Sequence, residues 1–317
     1  MKSWLAIYFA VACVVAQAQS FPSKPVRVIS VAVAGSTADV VARLLGDRMG
    51  RALGQPWVVE PRPGASGIVG TEVAARAPAD GHTVLLATST TMALPALSPK
   101  LPFDVVKDLV PVIWLSSSPN VMLINADRGV KNLAELINAA RKAPEGLLYG
   151  TPLVGSAAHL LTETFRRKAN TQMTHVPFKG AQQAMIEVLA NRVPVTMAGV
   201  SNALAHVQAG RLVPLAVADT KRVAAFPNVP TFRELGYEDV DFTFWIGVWA
   251  TGGTPRAVIE RLNTELNAAL KAPEVAEHLT KLGFEVVGGT PQRFEELIRR
   301  ELPLYANIIG QLGIKLE

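Results

Sequence analysis

Two short stretches carry the chemistry this chain can do, Gly35-Ser36-Thr37 and Gly155-Ser156-Ala157. Each puts a glycine and a small hydroxyl residue where an apolar strand gives way to an apolar helix. Val28 to Val33 forms the near-continuous apolar run of a strand covered on both faces. Past Gly35, the residues Val41, Leu44, Leu45, Met49, Ala52 and Leu53 recur at helical spacing until Gly54 stops them. In the same way Leu147-Leu148-Tyr149-Gly150 precedes the helix opened by Gly155-Ser156. A helix start presents unpaired backbone amides and a partial positive charge, so it attracts a carboxylate or phosphate without lysine or arginine. One such end is equally an ordinary turn that binds nothing, but two from separate parts of a chain can close on the same anion. Asp39, three residues after Ser36, fits the reciprocal position of a capping box, with Arg43 one turn later. It is assigned to the helix start, because a bare carboxylate would repel an anion. His159 is expected beside the second loop as a helix-surface or packing residue.

Other groups add polarity without a reaction. Thr88-Ser89-Thr90-Thr91 ends the strand His82 to Ala87, and the carboxyl end of a strand in an open α/β sheet is where ligands sit. A solvated loop or a helix cap is the plain alternative. Catalytic signatures are missing: there is no Gly-x-Ser-x-Gly elbow and no HExxH zinc motif, and the five histidines are dispersed. The glycines of Gly64-Ala65-Ser66-Gly67-Ile68-Val69-Gly70 are spaced three and three rather than as a dinucleotide fingerprint. That stretch reads as a turn and helix start. No cofactor and no metal are expected; paired carboxylates remain open to a sequence reading.

Residues 1–18 have one charge, Lys2, an apolar stretch from Trp4 to Val15, and small residues Ala16-Gln17-Ala18. This reads as a secretory signal cleaved after Ala18. The rival is lipidation at Cys13, where Val11-Ala12-Cys13 loosely resembles a lipobox with Ala10 in the usual leucine place. Cys13 is the single cysteine, so the exported chain has no disulfide, thiolate metal site or cysteine nucleophile. Removing Lys2 takes the formal charge from +5 to about +4, scattered and with few aromatics, which argues against nucleic acid. The remaining ~300 residues exceed what one core serves, so two lobes are expected.

The elements that must position the loops alternate as strand and helix, the pattern of parallel sheets. Trp57 to Glu60 reads as the second strand. Val110 to Leu115 and Val121 to Ile124 flank Ser116-Ser117-Ser118-Pro119-Asn120, a candidate crossing between lobes, and Phe242 to Ala250 reads as the return. Asn132 and Glu135 start a helix as cap and box partner. Thr254-Pro255 and Thr290-Pro291 read as caps with proline at the first helical position, and Pro303 should kink or break the last helix. Trp245 and Trp249 are expected in the core between lobes. The expected division is residues 1–18 as signal, 19–120 plus 243–317 as one lobe and 121–242 as the other.

The chain also resembles the Bug or TctC-like family of extracytoplasmic solute receptors of tripartite tricarboxylate transport. The resemblance rests on the order and spacing of Pro22-Ser23-Lys24-Pro25, Gly35 to Arg43, Arg62-Pro63-Gly64-Ala65-Ser66-Gly67 and Ala79-Asp80-Gly81. It continues through Leu101-Pro102-Phe103-Asp104, Tyr149-Gly150 with Gly155-Ser156 and His159-Leu160, His175 to Gly180, Asn228-Val229-Pro230-Thr231, Trp245 and Gly253-Thr254-Pro255. It implies an α/β type II periplasmic binding protein, two α/β lobes joined by crossing strands with an interlobe cleft. It also implies a carboxylate gripped by Gly35, Ser36 and Thr37 on one side and Thr151, Gly155 and Ser156 on the other. The family's first loop usually carries prolines and a second glycine where Val31, Ala34 and Ser36 stand, and an aspartate common on a later loop aligns with Ala198, leaving Ser201 and Asn202 as polar candidates. Thr88, Ser89, Thr90, Ser201 and Asn202 would orient the ligand. The expected protein is a monomeric, non-enzymatic periplasmic receptor that delivers a small organic anion to a membrane permease. Periplasmic sensing for a signalling partner is the alternative, with a carboxylate-processing enzyme behind it.

Overall fold

The computed structural model describes residues 21–316; the segment 1–18 and Cys13 lie outside the described residues. Strand β1 (Val26–Ser30), helix α1 (Thr37–Leu53), β2 (Trp57–Pro61), α2 (Ile68–Ala75) and β3 (Thr83–Thr88) form a parallel unit. After the short α3 (Leu94–Leu97), strand β4 (Leu109–Ser118) reaches Pro119, and β5 (Asn120–Asn125) begins directly beyond it in a different sheet. The chain continues through α4 (Leu133–Lys142), β6 (Leu147–Pro152), α5 (Ala157–Lys168), β7 (Met173–Phe178), α6 (Ala181–Leu189), β8 (Val195–Gly199), α7 (Val200–Gln208) and β9 (Leu212–Ala218). It then returns to the first sheet as β10 (Phe244–Thr251), followed by α8 (Arg256–Leu270), α9 (Pro273–Lys281), β11 (Glu285–Val286) and α10 (Pro291–Leu312).

The first sheet is ordered β11-β4-β10-β3-β1-β2 and the second β7-β6-β8-β5-β9. In the first sheet β10 is antiparallel to β3 and β4, and the two-residue β11 is antiparallel to β4; in the second β5 runs antiparallel to β8 and β9. The carboxyl ends of the parallel strands, where helices begin, therefore lie at the ends of the sheets from which the chain crosses over. Among the described residues no helix is long and apolar enough to cross a membrane.

Several local expectations are corrected. Strand β1 stops at Ser30, which faces Pro61 across the ladder. Val31 to Val33 form a loop instead of strand, and the Ser36 amide closes a turn on the Val33 carbonyl. Thr254 does not cap α8: its hydroxyl donates to the Thr251 carbonyl at 2.7 Å, and the helix starts one residue later, after Pro255. Thr290 does cap, accepting from the Arg293 amide at 3.3 Å. Pro303 does not break α10, which runs as one helix from Pro291 to Leu312. The buried face continues on both sides of it, Phe294, Leu297 and Ile298 before and Tyr305, Ile308 and Ile309 after, and this packing offsets the lost hydrogen bond.

Trp245 and Trp249 of β10 are fully buried against Phe294 of α10, with ring centroids 5.3 and 4.7 Å from the Phe294 ring. Trp245 Nε1 donates to Glu301 at 2.6 Å, and burial pushes the Glu301 carboxyl up to about 7. Gly247 lies on the same strand with the Phe294 ring directly over it, so an added Cβ would overlap the ring. Gly247→Ala is therefore expected to cost about 1–3 kcal/mol of stability as an overpacked core site. Thermal unfolding of the purified variant checks this, and an unchanged melting temperature would show that the ring has room to move.

Candidate functional site

The two glycine-serine loops are built alike. In the first, the Ser36 amide donates to the Val33 carbonyl at 3.1 Å, Ser36 Oγ caps α1 by accepting from the Asp39 amide at 3.4 Å, and Asp39 Oδ2 accepts from the Gly35 amide at 2.9 Å. In the second, the Ser156 amide donates to Leu153, Ser156 Oγ caps α5 by accepting from the His159 amide at 3.2 Å, and His159 Nδ1 accepts from the Gly155 amide at 3.1 Å. Gly35 and Gly155 have φ of +76° and +77°, the left-handed conformation that glycine takes without strain. In both loops the cap satisfies the third helical amide. The first two, Thr37 and Ala38 in one and Ala157 and Ala158 in the other, have no intrahelical acceptor available.

All four of those residues line one cavity of about 410 Å³. Gly180 with Ala181 at the start of α6, and Gly199 with Asn202 at the start of α7, line it too, so four helix N-termini converge there. Its walls are apolar at Val31, Val33, Pro152, Leu153 and Phe244, and polar at Ser36, Ser66, Thr88, Thr90, Asn120 and Ser156. Among the described residues Lys179 is the one charged group that lines it, and none of the lining residues is acidic. The aligned backbone dipoles favour negative charge in this space, and the nearby Asp39 carboxylate is paired with Arg43. It can hold an anion with an apolar body.

Two hydrogen bonds tie the facing sides of this space together: Thr37 Oγ1 donates to Asn202 Oδ1 at 3.0 Å and Ser66 Oγ donates to the Val154 carbonyl at 3.0 Å. Ala65, Ser66 and Leu153, all lining residues, have positive φ, whereas the other non-glycine residues in that region are asparagine or aspartate, which tolerate it. Local strain is concentrated at the cavity wall.

Of the residues expected at a site, the structure gathers Ser36, Thr37, Thr88, Thr90, Ser156 and Asn202 around the cavity. Five others do not line it. Gly35 and Gly155 shape the turns and spend their amides on Asp39 and His159. Ser89 is fully buried, its neighbours including Tyr305. Thr151 is fully buried with Oγ1 2.7 Å from His175 Nε2, and the Ser201 amide is held by Ser118 Oγ at 3.4 Å. The sequence reading had Val31 to Val33 at the binding loop only through the family resemblance, and it missed the Gly64 to Gly67 turn, Asn120, Lys179 to Ala181 and Phe244 as lining residues. A usable signal existed at Gly180 and Gly199, since each precedes an apolar helix as Gly35 and Gly155 do. Among the described residues no group of three or more histidine, cysteine or acidic side chains could hold a metal.

Asp39 is buried, which by itself would raise its pKa, but Arg43 at 2.9 Å and the Gly35 amide outweigh burial and hold the carboxyl below its usual range. Behind the second loop His159 stacks on His175 with centroids 3.8 Å apart, and His175 stacks on Tyr149 at 5.0 Å. Tyr149 donates to Glu163 at 2.6 Å, and Glu163 pairs with Arg166. Burial, with His175 adjacent, pushes His159 down to about 3, and burial pushes His175 down to about 4. Neutral His159 is what lets Nδ1 accept from Gly155. Because these folded values lie below the unfolded value of about 6.5, the unfolded chain binds more protons as pH falls, and the stabilisation present above about pH 6.5 is lost toward pH 4 and below. The excess in melting temperature of the native protein over His175→Gln is therefore expected to shrink between pH 7 and pH 4. Calorimetry in matched buffers checks it, and a pH-independent difference would show that His175 is not held neutral.

A family model described as tripartite tricarboxylate transporter family receptor, TctC, matches residues 41–314. Protein BugT of Bordetella pertussis is 33% identical over 317 residues, covering 99% of this chain and 97% of BugT. An R. palustris protein solved with adipate superposes with a TM-score of 0.86 at 31% identity, over 93% of this chain and 99% of that one. MatC from Rhodopseudomonas palustris, solved with bound malate, superposes with a TM-score of 0.85 at 29% identity, over 91% of this chain and all of that one. The two-sheet architecture is thus the type II periplasmic binding protein fold. With the match running through nearly all of both sheets and the helices that open on the cavity, the chain belongs to the TctC family of tripartite tricarboxylate transporter receptors.

Proposed function

We propose that this protein is a periplasmic receptor that captures a small organic anion, a carboxylate with an apolar body, between two lobes and passes it to the permease of a tripartite tricarboxylate transporter. The observation that carries this reading is the convergence of four helix N-termini on one cavity lined by no acidic residue. The carboxylate would sit on the amides of Thr37, Ala38, Ala157 and Ala158, with the hydroxyls of Ser36, Ser156, Thr88 and Thr90 around it. Adipate and malate in the two structural relatives are of the same chemical class. The permease partner follows from the family's description, and the periplasmic location from the signal character of residues 1–18.

In this reading residues 19–120 with 243–317 form one lobe and 121–242 the other, and the protein works as a monomer that binds without turnover. The bonds from Thr37 to Asn202 and from Ser66 to Val154 join the lobes, so a ligand touching both sides shifts an open-closed equilibrium toward the closed form.

Gly180 offers a test that spares the core. Its φ is near −175°, which any residue adopts, and an added Cβ would meet only Val33 Cγ2, at 3.4 Å. Gly180→Leu should thus fill the cleft while changing the stability of the free protein by no more than about 1 kcal/mol. Thermal-shift screening against mono-, di- and tricarboxylates should give a concentration-dependent rise in melting temperature for the native protein and none for Gly180→Leu. An equal rise in the variant, or no rise with any carboxylate in the native protein, would overturn the assignment.

A further inference from the structure

We propose that Asn120 reads an oxygen acceptor on the body of the captured carboxylate, so that the cleft prefers hydroxylated acids to their unsubstituted parents and rejects amino acids. The inference rests on the receptor reading above and adds a specificity-determining residue to it. Asn120 is the first residue of β5, immediately after the crossing at Pro119. Its backbone is fixed between Gly199 of β8 and Ala218 of β9. It is 2% exposed, yet it lines the cavity.

Its amide nitrogen Nδ2 has no hydrogen-bond partner. Of the buried side-chain polar atoms without a partner among the described residues, it is the one belonging to a cavity-lining residue. Buried polar groups are almost always paired, because leaving one unpaired forfeits its hydration without return. A donor held on a rigid strand start, with no protein partner, at the wall of a ligand cavity is placed to meet an acceptor on the ligand. The carboxylate is already served by the helix-start amides, so the acceptor is a further oxygen elsewhere on the molecule.

The rest of the lining sets the sign of the preference. An ammonium group on the ligand would face helix N-termini and Lys179, with no carboxylate to pair with it; the residue beside Gly199 on β8 is Ala198. A buried unpaired charge of that kind is strongly unfavourable. A hydroxyl or carbonyl oxygen meets Asn120 Nδ2 instead. A site built to hydrogen-bond such a group discriminates sharply against the analogue that lacks it.

The test is calorimetric titration of the full mature protein with hexanoate, 2-hydroxyhexanoate, 6-hydroxyhexanoate and 2-aminohexanoate, together with benzoate and 3-hydroxybenzoate. Hydroxyls near and far from the carboxylate are thereby both sampled. At least one hydroxylated acid should bind about tenfold or more tightly than its parent, and 2-aminohexanoate should not bind. In Asn120→Leu, which keeps the side chain's size, that preference should vanish while the parent acid binds within about threefold of its native affinity. The melting temperature of the free variant should be unchanged or higher, since an unpaired buried donor is gone, whereas a structural asparagine would lower it. Should Asn120→Leu fail to fold, Asn120→Ala, which removes the donor without adding a charge, should weaken the hydroxylated acid more than its parent. A hydroxyl preference that survives either substitution, or 2-aminohexanoate binding as well as the hydroxy acid, overturns this assignment alone. If no acid binds the native protein, the receptor reading fails and takes this inference with it.

Discussion

A backbone amide at the start of an α-helix has no carbonyl four residues earlier to receive it, and everything about this site follows from where those amides are left. Serine side chains satisfy the third amide of α1 and of α5, and the chain places the first two of each, with the starts of α6 and α7, around one space. The dipoles there favour negative charge although only one lining side chain is charged. In the proposed receptor, selectivity for an anion comes from dipoles that cannot rotate away. The apolar walls strengthen it by excluding water and lowering the local dielectric.

Holding such loops requires groups behind them, and the two lobes solve this with different chemistry in the same place. In one, an ionised and buried Asp39, kept charged by Arg43, accepts the glycine amide. In the other, a buried and neutral His159, kept uncharged by its surroundings, accepts the equivalent amide. An aspartate places a negative charge one turn into the helix; a neutral imidazole places none. The second loop consequently presents its positive helix end without a counter-charge, while in the first the Arg43 guanidinium balances Asp39. The Tyr149, His175 and Glu163 chain fixes the histidine from below, and its arginine partner, Arg166, is on the helix surface away from the cavity.

Strain is spent on the same wall. Ala65, Ser66 and Leu153 take positive φ where asparagine or glycine would be easier, and Ser66 and Val154 are joined across the cleft. A backbone bent this way positions wall residues that regular secondary structure would point elsewhere. The paired crossings, β4 into β5 and β9 into β10, attach both walls of the cavity to the two sheets.

Periodicity and turn chemistry determined a good deal before any coordinates. Strand and helix alternation implies sheets with parallel strands, Ser36 or Thr37 can be read as the cap of the first helix, and the Asn132 to Glu135 start is a local pattern of the same kind. These are legible because each depends on residues within a few positions of one another. Other local signals were misleading where distant contacts decided the outcome: Val31 to Val33 reads as strand, but the chain leaves the ladder after Ser30, and the same three residues become cavity wall. Thr151 and Ser89 look like ligand hydroxyls, yet His175 and the core around Tyr305 claim them from distant parts of the chain. Asn120 and Lys179 carry no local pattern at all. The sequence by itself determined which backbone amides would be free, because a helix start is a matter of a few adjacent residues. Only the tertiary structure decided which of them share a cavity and which hydroxyls and amides reach it, because that depends on contacts between residues far apart in the chain.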